Sequence, residues 1–482
     1  MSGFSFFMVS ASFGADFDSE RKTRMLIFGK GNLRVPKLSR DVYIAAAGMT
    51  DFRKFYPEKQ TVELCLEAIR MAVMDGLGME PKKFREFVNF CVYSQFADHF
   101  GDQLLAASKV HDYIGFDPIG NIEIKTGGAT GGSSVLAAIM SIASGFASCV
   151  PVIGWERMDE VDTRQGNAYI ASAACKDFES ELGWSYTTYY ALMMRRYLHE
   201  YNPNRETLAK IAQKNHHYAR FSPYSQLPGD YSLEEIMKAK VVSDPLTFPE
   251  CCVMSTGAAC LILADEETAF QLTDKPVKIL GIGAGTHTLR TADRRDMPVL
   301  LLPNETLEMY KDRKNDWPGF TSFLAARFAA RQAYHMAGIH NPIRELDLLE
   351  THDAFTVSDI QTYEDIGLRP YGRGAEFIES GEAYLESDLP PERKLPTNLS
   401  GGLLGSMHAV GATGIFQIAE IFWQIRNEWE KFHSDEKYWK KYGKTKPEDF
   451  KNLQVPNATR GMAISHAGTG SHVTAIIIHR GW

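Results

Sequence analysis

Residues 135–155 carry no charged side chain and no histidine, and they follow a glycine-rich stretch, Lys125-Thr126-Gly127-Gly128-Ala129-Thr130-Gly131-Gly132-Ser133-Ser134. A polar strand end running into four glycines and then an apolar run reads as strand, tight turn and helix. The run matches the roughly 20 residues that cross a membrane. Gly145 and Pro151 interrupt it, however, so it reads as a helix to about residue 144, a turn, and a strand through residues 150–154. A helix that is apolar on every side is buried on every side. In a layered α/β chain that means a helix sandwiched between two sheets. The turn before it directs free backbone N–H groups at a ligand. Gly128 stands where such a turn often presents a nucleophilic side chain.

At 482 residues the chain exceeds one ordinary core, so two domains are expected. The formal charge of −8, with no basic stripe to offset it, excludes a nucleic-acid binder. The short lysine patch at 440–446 reads as solvated surface. Seven cysteines, an odd count without a C-x-x-C pair, exclude metal fingers and a disulfide framework. They fit a reducing cytoplasm, and Cys251-Cys252 reads as buried packing. Residues 1–13 are apolar but no basic residue precedes the apolar run, which disfavours a signal peptide. Residues 1–40 are taken as an N-terminal extension, because the first good strand opens near Val42.

The chain also resembles itself. Strands ending in small-residue turns open at Val42 and at Val277. An amphipathic helix follows each, over residues 62–74 and 324–336. Each half then has an apolar strand leading to a polar loop and a phenylalanine, at 87–96 and 346–355. The second spacing is longer, and its surplus falls in the charged region 293–317, which reads as an insertion. Two equivalent halves sharing an interface are the simplest architecture.

Four segments carry the residue types of a site. They are the glycine turn with Gly128 and Gly131; Glu350-Thr351-His352-Asp353-Ala354-Phe355; Asn398-Leu399-Ser400-Gly401-Gly402 with Gly405-Ser406-Met407-His408-Ala409-Val410-Gly411-Ala412-Thr413-Gly414; and Ser465-His466-Ala467-Gly468-Thr469-Gly470. Small residues let a backbone approach a ligand closely, and histidine moves protons near neutral pH. The turn lacks the Lys-Ser/Thr ending of a phosphate loop and the spacing of a dinucleotide fingerprint, so neither nucleotide class is expected. No metal cluster or cofactor motif is present.

Together these segments resemble the thiolase superfamily, most closely its sterol-carrier-protein-2-type and archaeal-type members. His352–Phe355 resembles the family's HDCF-type loop. Ser400-Gly401-Gly402 through Gly414 resembles its SGG…GHPxGATG stretch. His466-Ala467-Gly468 resembles its C-terminal C-x-G loop. Residues 189–201, Lys214-Asn215-His216 and Ser255-Thr256-Gly257-Ala258-Ala259 also fit the pattern. The resemblance implies an α/β thiolase fold of two similar halves in five αβαβα layers, placed at residues 41–275 and 276–482. It also implies acyl-CoA thioesters as substrates, with CoA as part of the substrate and no separate cofactor.

The departures from that pattern shape the expected chemistry. The family's C-A-S-G-G motif aligns with Gly128-Ala129-Thr130-Gly131-Gly132, so the nucleophile position is Gly128, and glycine cannot hold an acyl group. The second family cysteine aligns with His466, or with Ser465 if the loop shifts by one. By resemblance His352 and His408 polarise the thioester oxygen. Gly128, Gly131, Gly402 and Gly468 are expected to line the ligand. Enolate stabilisation without a covalent acyl group suits aldol or retro-aldol chemistry beside the thioester. Two alternatives stand beside it: a Claisen thiolase using a displaced nucleophile such as Cys91, and a non-catalytic subunit of a complex. Segments near 298–317 and 428–455 read as insertions, either surface decoration or a partner interface. A homodimer is expected, extended by a small DUF35-type OB-fold subunit like that of the superfamily's aldolases, with no membrane association.

Overall fold

The strands expected at 42–50 and 277–286 stand side by side at the middle of one nine-stranded sheet. The computed structural model describes residues 37–294, 297–313 and 316–482. The apolar residues 1–13, and the expected extension up to residue 36, lie outside the described residues. The strands are β1 (Val42–Met49), β2 (Cys91–Ser94), β3 (Asn121–Ile124), β4 (Cys149–Arg157), the separate hairpin β5 (Val241–Ser243) and β6 (Leu246–Thr247), β7 (Thr256–Asp265), β8 (Val277–Thr286), β9 (Leu348–Glu350), β10 (Arg460–Ala467) and β11 (His472–Arg480). Their order in the large sheet is β3-β2-β4-β7-β1-β8-β11-β10-β9.

Order and direction repeat between the halves. In the first, β2 lies parallel to β3 and β4, and β4, β7 and β1 are successively antiparallel. In the second, β9 lies parallel to β10, and β10, β11 and β8 are successively antiparallel. A single parallel bridge between Leu349 and Thr397 stands where a counterpart of β3 belongs. Tyr43 opposite Lys278 and Ile44 opposite Val277 join the halves edge to edge. β1 and β7 are buried almost throughout, as strands covered on both faces must be.

The main helices are α1 (Thr61–Arg70), α2 (Thr130–Ala143), α3 (Tyr186–Tyr201), α4 (Arg205–Ala219), α5 (Leu324–Ala337), α6 (Thr356–Asp365) and α7 (Val410–Arg426). α1 covers the outer face of the first half-sheet and α5 that of the second. Between the half-sheets, α2 and α7 pack on each other, touching β4 on one side and β10 on the other. This is the five-layered αβαβα thiolase fold that the resemblance implies.

The uncharged segment does form a central helix, but it is not the helix buried on all sides. α2 is buried from Thr130 through Val135, while Met140 near its end is 55% exposed. α7, like the shorter α6, is enclosed at every residue. It carries Gln417, Glu420, Gln424 and Arg426, and such groups survive burial by finding partners. Gln424 Nε2 donates to Leu453 O at 2.9 Å, and Arg426 Nε donates to Glu428 Oε2 at 2.8 Å.

The expected insertions are built into the core. Residues 428–455 form α8 (Trp429–His433) and α9 (Glu436–Lys441), whose Trp429, Phe432 and Tyr438 are buried against α7. The Trp423 and Phe432 rings stack at 4.6 Å, and Trp429 and His433 at 4.1 Å. Within the lysine patch, Lys440 is exposed and paired with Glu436. Lys444 turns inward instead, its Nζ donating to Pro223 O and Ser225 O at 2.7 Å each. Around residues 298–317, Val299, Leu300, Tyr310 and Trp317 form a small core with Leu324 and Tyr371. Truncating Trp429 to alanine is expected to cost about 3–5 kcal/mol, the range for a buried large aromatic. Met140→Lys on the open side of α2 should stay within roughly 0.5 kcal/mol. Urea unfolding of the two variants checks the difference.

Candidate active site

Three segments bring an imidazole each into one cavity of about 1190 Å³. His352 follows the end of β9, His466 sits near the end of β10, and His408 lies two residues before α7. The His352 and His408 ring centroids are 5.0 Å apart at 87°, and those of His352 and His466 are 5.4 Å apart at 25°. Phe323 meets the His466 ring edge to face, the centroids 5.0 Å apart at 66°. The cavity wall is mostly apolar, including Phe96, Met158, Ile170, Met254, Phe355 and Val410.

Buried polar residues hold these loops in place. Asp353, next to His352, accepts from Asn215 Nδ2 at 2.6 Å and from Leu403 N at 2.7 Å. Lys214 Nζ donates to Asn215 Oδ1 at 2.6 Å and to Thr397 O at 2.5 Å. The Lys214-Asn215 pair of α4 thus ties the His352 loop to the strand-like segment leading into the 400–406 turn. Burial, followed by Asp359, raises the Asp353 carboxyl, while burial lowers the Lys214 ammonium. The His408 backbone N–H donates to Ser255 Oγ at 2.9 Å, and the ring Nδ1 lies 3.0 Å from Thr413 Oγ1. His408 Nε2 is left for the cavity.

All three imidazoles are neutral at pH 7. Burial brings His408 down to about 4 and His466 down to about 3. Burial first, then His408 and His466, holds His352 well below the usual imidazole range. A neutral ring offers one donor and one acceptor nitrogen. His352 Nδ1 and both nitrogens of His466 are buried without a hydrogen-bond partner. Such a group can donate to a developing oxyanion or accept a proton from a ligand.

Gly128 and Gly468 line the same cavity. A Cβ at residue 128 would stand 2.3 Å from the His466 carbonyl oxygen, so the backbone passes there only as glycine. Gly131 and Gly402 are not brought to the cavity. Gly131 lies where α2 crosses α7, against Gly414 N, and Gly402, at φ +60°, sits against the Asp353 carboxylate. Nor is Ser465. Strand alternation turns it from His466 to the opposite face of β10, where its Oγ donates to Gln417 Oε1 at 2.7 Å. Cys91, the displaced-nucleophile candidate, is packed with Cys65 and Cys260 in the outer cluster of the first half, away from the cavity residues. Burial pushes its thiol up to about 12. Cys251 and Cys252, read from the sequence as packing, line the cavity instead. Among the described residues, no group of three or more His, Cys, Asp or Glu side chains is placed to hold a metal ion. No described helix is long and apolar enough to cross a membrane.

Residues 42–227 match the family described as thiolase, N-terminal domain, and residues 309–437 the thiolase C-terminal domain-like family. An acetyl-CoA acetyltransferase of Methanothermobacter thermautotrophicus is 31% identical over 393 residues, covering 81% of this chain and 92% of its own. The chain belongs to the thiolase superfamily. Sterol carrier protein 2 of Homo sapiens is 30% identical over 404 residues, covering 82% of this chain and 67% of its own. Among solved structures, the Ltp2-ChsH2(DUF35) aldolase aligns with a TM-score of 0.69 at 20% identity, covering 92% of this chain and 99% of that one. That likeness is one of fold.

Four side chains of this thiolase-family site were given no place in it from the sequence. Tyr186 and Tyr190 stand one helical turn apart at the start of α3 and line the cavity, Tyr190 stacking on Phe355 at 4.4 Å. The i, i+4 spacing was their signal. Gln417 is a polar residue inside an apolar helix, which is itself a mark of a buried polar role. Cys252 is fixed by its N–H to Ala354 O at 2.8 Å, and burial raises its thiol. The depressed histidines also set a pH dependence. Unfolded, they titrate near 6.5; between that value and about 4 for His408 or about 3 for His466 the unfolded chain binds more protons. Their contribution to stability is therefore complete above about pH 6.5 and is lost as the pH falls toward those values. His466→Gln should reduce proton uptake on unfolding at pH 5 by about one proton, measured by calorimetry in buffers of different ionisation enthalpy.

Proposed function

We propose that the protein makes or breaks a carbon–carbon bond beside a CoA thioester by an aldol or retro-aldol route, with no covalent acyl-enzyme. The observation that carries this reading is Gly128. It occupies the start of the cavity helix, has no side chain to acylate, and is closed against the His466 carbonyl so tightly that none fits. Around it stand three neutral imidazoles, and His352 and His466 among them carry nitrogens without a hydrogen-bond partner. In the retro direction a His466 nitrogen takes the β-hydroxyl proton and the Cα–Cβ bond breaks. The electron pair enters the thioester as an enolate, whose oxygen is held by His352 and His408. The proton then returns to Cα, leaving an acyl-CoA and an aldehyde or ketone.

The apolar cavity wall suits an acyl chain, and Lys54 and Lys240 on the same cavity suit the phosphates of CoA. CoA enters as part of the substrate, with no further cofactor. The aldolase fold neighbour, whose name includes a DUF35 protein, supports a small DUF35-type subunit as a partner here, joined to a homodimer of this chain that is part of the same proposal. Seven free cysteines support a reducing cytoplasm. A second reading, a Claisen thiolase with an unusual nucleophile, is favoured by Cys251 and Cys252, which line the cavity.

Incubating the protein, with and without a DUF35-type partner, with β-hydroxyacyl-CoA thioesters separates the two readings. The aldol reading expects an aldehyde or ketone and a shortened acyl-CoA in the absence of free CoA. Cleavage restricted to β-ketoacyl-CoA, and dependent on free CoA, would reject it. His408→Ala should lower kcat about 10²–10³-fold, the usual loss when one oxyanion donor is removed.

A further inference from the structure

The 428–455 segment reaches the cavity through the turn that follows α9. Gly443 takes the left-handed conformation there, at φ +66°, and Lys444 lines the cavity with its side chain 26% exposed. Its bonds to Pro223 O and Ser225 O grip residues 222–227, of which Ser225, Gln226 and Leu227 line the same cavity. The other side of that wall is tied to the turn before His408. Gln226 N donates to Ser406 O and Leu227 N to Gly405 O at 2.9 Å each, and the Ser225 and Ser406 hydroxyls meet at 2.6 Å. Lys444 Nζ also stands 3.6 Å from Oδ2 of the fully buried Asp51. Asp51 accepts from Arg53 Nε at 2.6 Å, and Arg53 Nη2 donates to Tyr442 O at 3.2 Å. One ammonium therefore ties two cavity loops, 50–55 and 222–227, to each other. An ammonium has three N–H donors, and here two carbonyls and a carboxylate surround it. A neutral amine has one donor fewer and must release one of them.

We propose that Lys444 is a positioning residue for CoA thioester binding, its ammonium fixing the 222–227 wall of the cavity against the turn that leads to His408. The proposal rests on the CoA reading of the cavity for its ligand. It makes the 428–455 segment a support of the site as well as of the core. Burial, opposed by Asp51, brings the ammonium down to about 8. The other titratable groups around it are Asp51 and Arg53, paired with each other, and Tyr56, Tyr224 and Tyr442, whose phenols burial raises. The grip on the wall is therefore complete well below pH 8 and is lost as the pH rises through that value.

Hydrogen exchange and equilibrium binding test this together. In the ligand-free protein at pH 7, Lys444→Met should make the Gln226 and Leu227 amides exchange about tenfold faster, one hydrogen bond's worth of local stability. Wild-type affinity for butyryl-CoA should fall about tenfold between pH 7 and pH 9, as it must when binding needs the protonated lysine. Lys444→Met should bind about tenfold more weakly at pH 7 and show no such fall. Lys54 and Lys240 stay on the cavity in both proteins, so the difference between the two profiles belongs to Lys444. A flat wild-type profile overturns the inference without any variant. So does a variant whose Gln226 and Leu227 amides exchange like those of the wild type, or one that binds butyryl-CoA with the wild-type affinity and pH profile. Faster exchange in the variant, with no CoA thioester bound by the wild type, keeps Lys444 as the anchor of the wall and rejects the CoA reading instead.

Discussion

The side-chain amide of Gln417 is the joint on which the site depends. It projects from the fully buried α7, and its Nε2 donates to Thr351 O at 2.8 Å and to Ile464 O at 3.0 Å. Its Oε1 accepts from Ser465 Oγ at 2.7 Å. One amide therefore ties the residue before His352 to the end of β10 that carries His466. An amide in the central layer is tolerated only when its donors and acceptor are paired. Here they are paired with the backbone that sets the spacing of two imidazoles. The same helix begins two residues after His408, so one rigid element fixes all three rings relative to each other.

Around that joint the three imidazoles are kept uncharged. The imidazoles are held neutral by burial, and polar contacts reach their loops from behind rather than from the cavity. Glu156 shows the same economy: buried at the end of β4, it accepts from Phe96 N at 2.8 Å and Gly411 N at 3.1 Å, and burial raises it to about 8. It joins the β2 loop to the first turn of α7 without placing a charge beside the substrate. In such a setting hydrogen-bond donors act strongly on a developing oxyanion, because little solvent competes.

The layering was legible because its signals are local. The glycine turn, the uncharged segment and the repeated strand–turn openings each report the environment of their own residues. His352, His408 and His466 were legible as motifs, though only the fold shows that they converge. What the sequence concealed depends on the third dimension. α7 reads as less apolar than α2 because of Gln417, Glu420 and Gln424, yet it is the more deeply buried helix. The 428–455 segment looks like a charged, aromatic surface insert, but its aromatics face inward onto α7. Ser465 and His466 are neighbours in sequence and opposites in space, a consequence of strand alternation that no loop motif records. Gly131 and Gly402 look like Gly128 in the chain but serve helix crossing and a carboxylate seat.

The central claim is that carbon–carbon chemistry here proceeds on neutral histidines with no acyl-enzyme at the Gly128 turn. Intact-mass spectrometry of the protein, sampled while it turns over a β-hydroxyacyl-CoA, tests this most directly. The account predicts an unmodified mass while the carbonyl product accumulates. An acyl adduct that forms and decays with turnover, above all one mapping to Cys252, would contradict it.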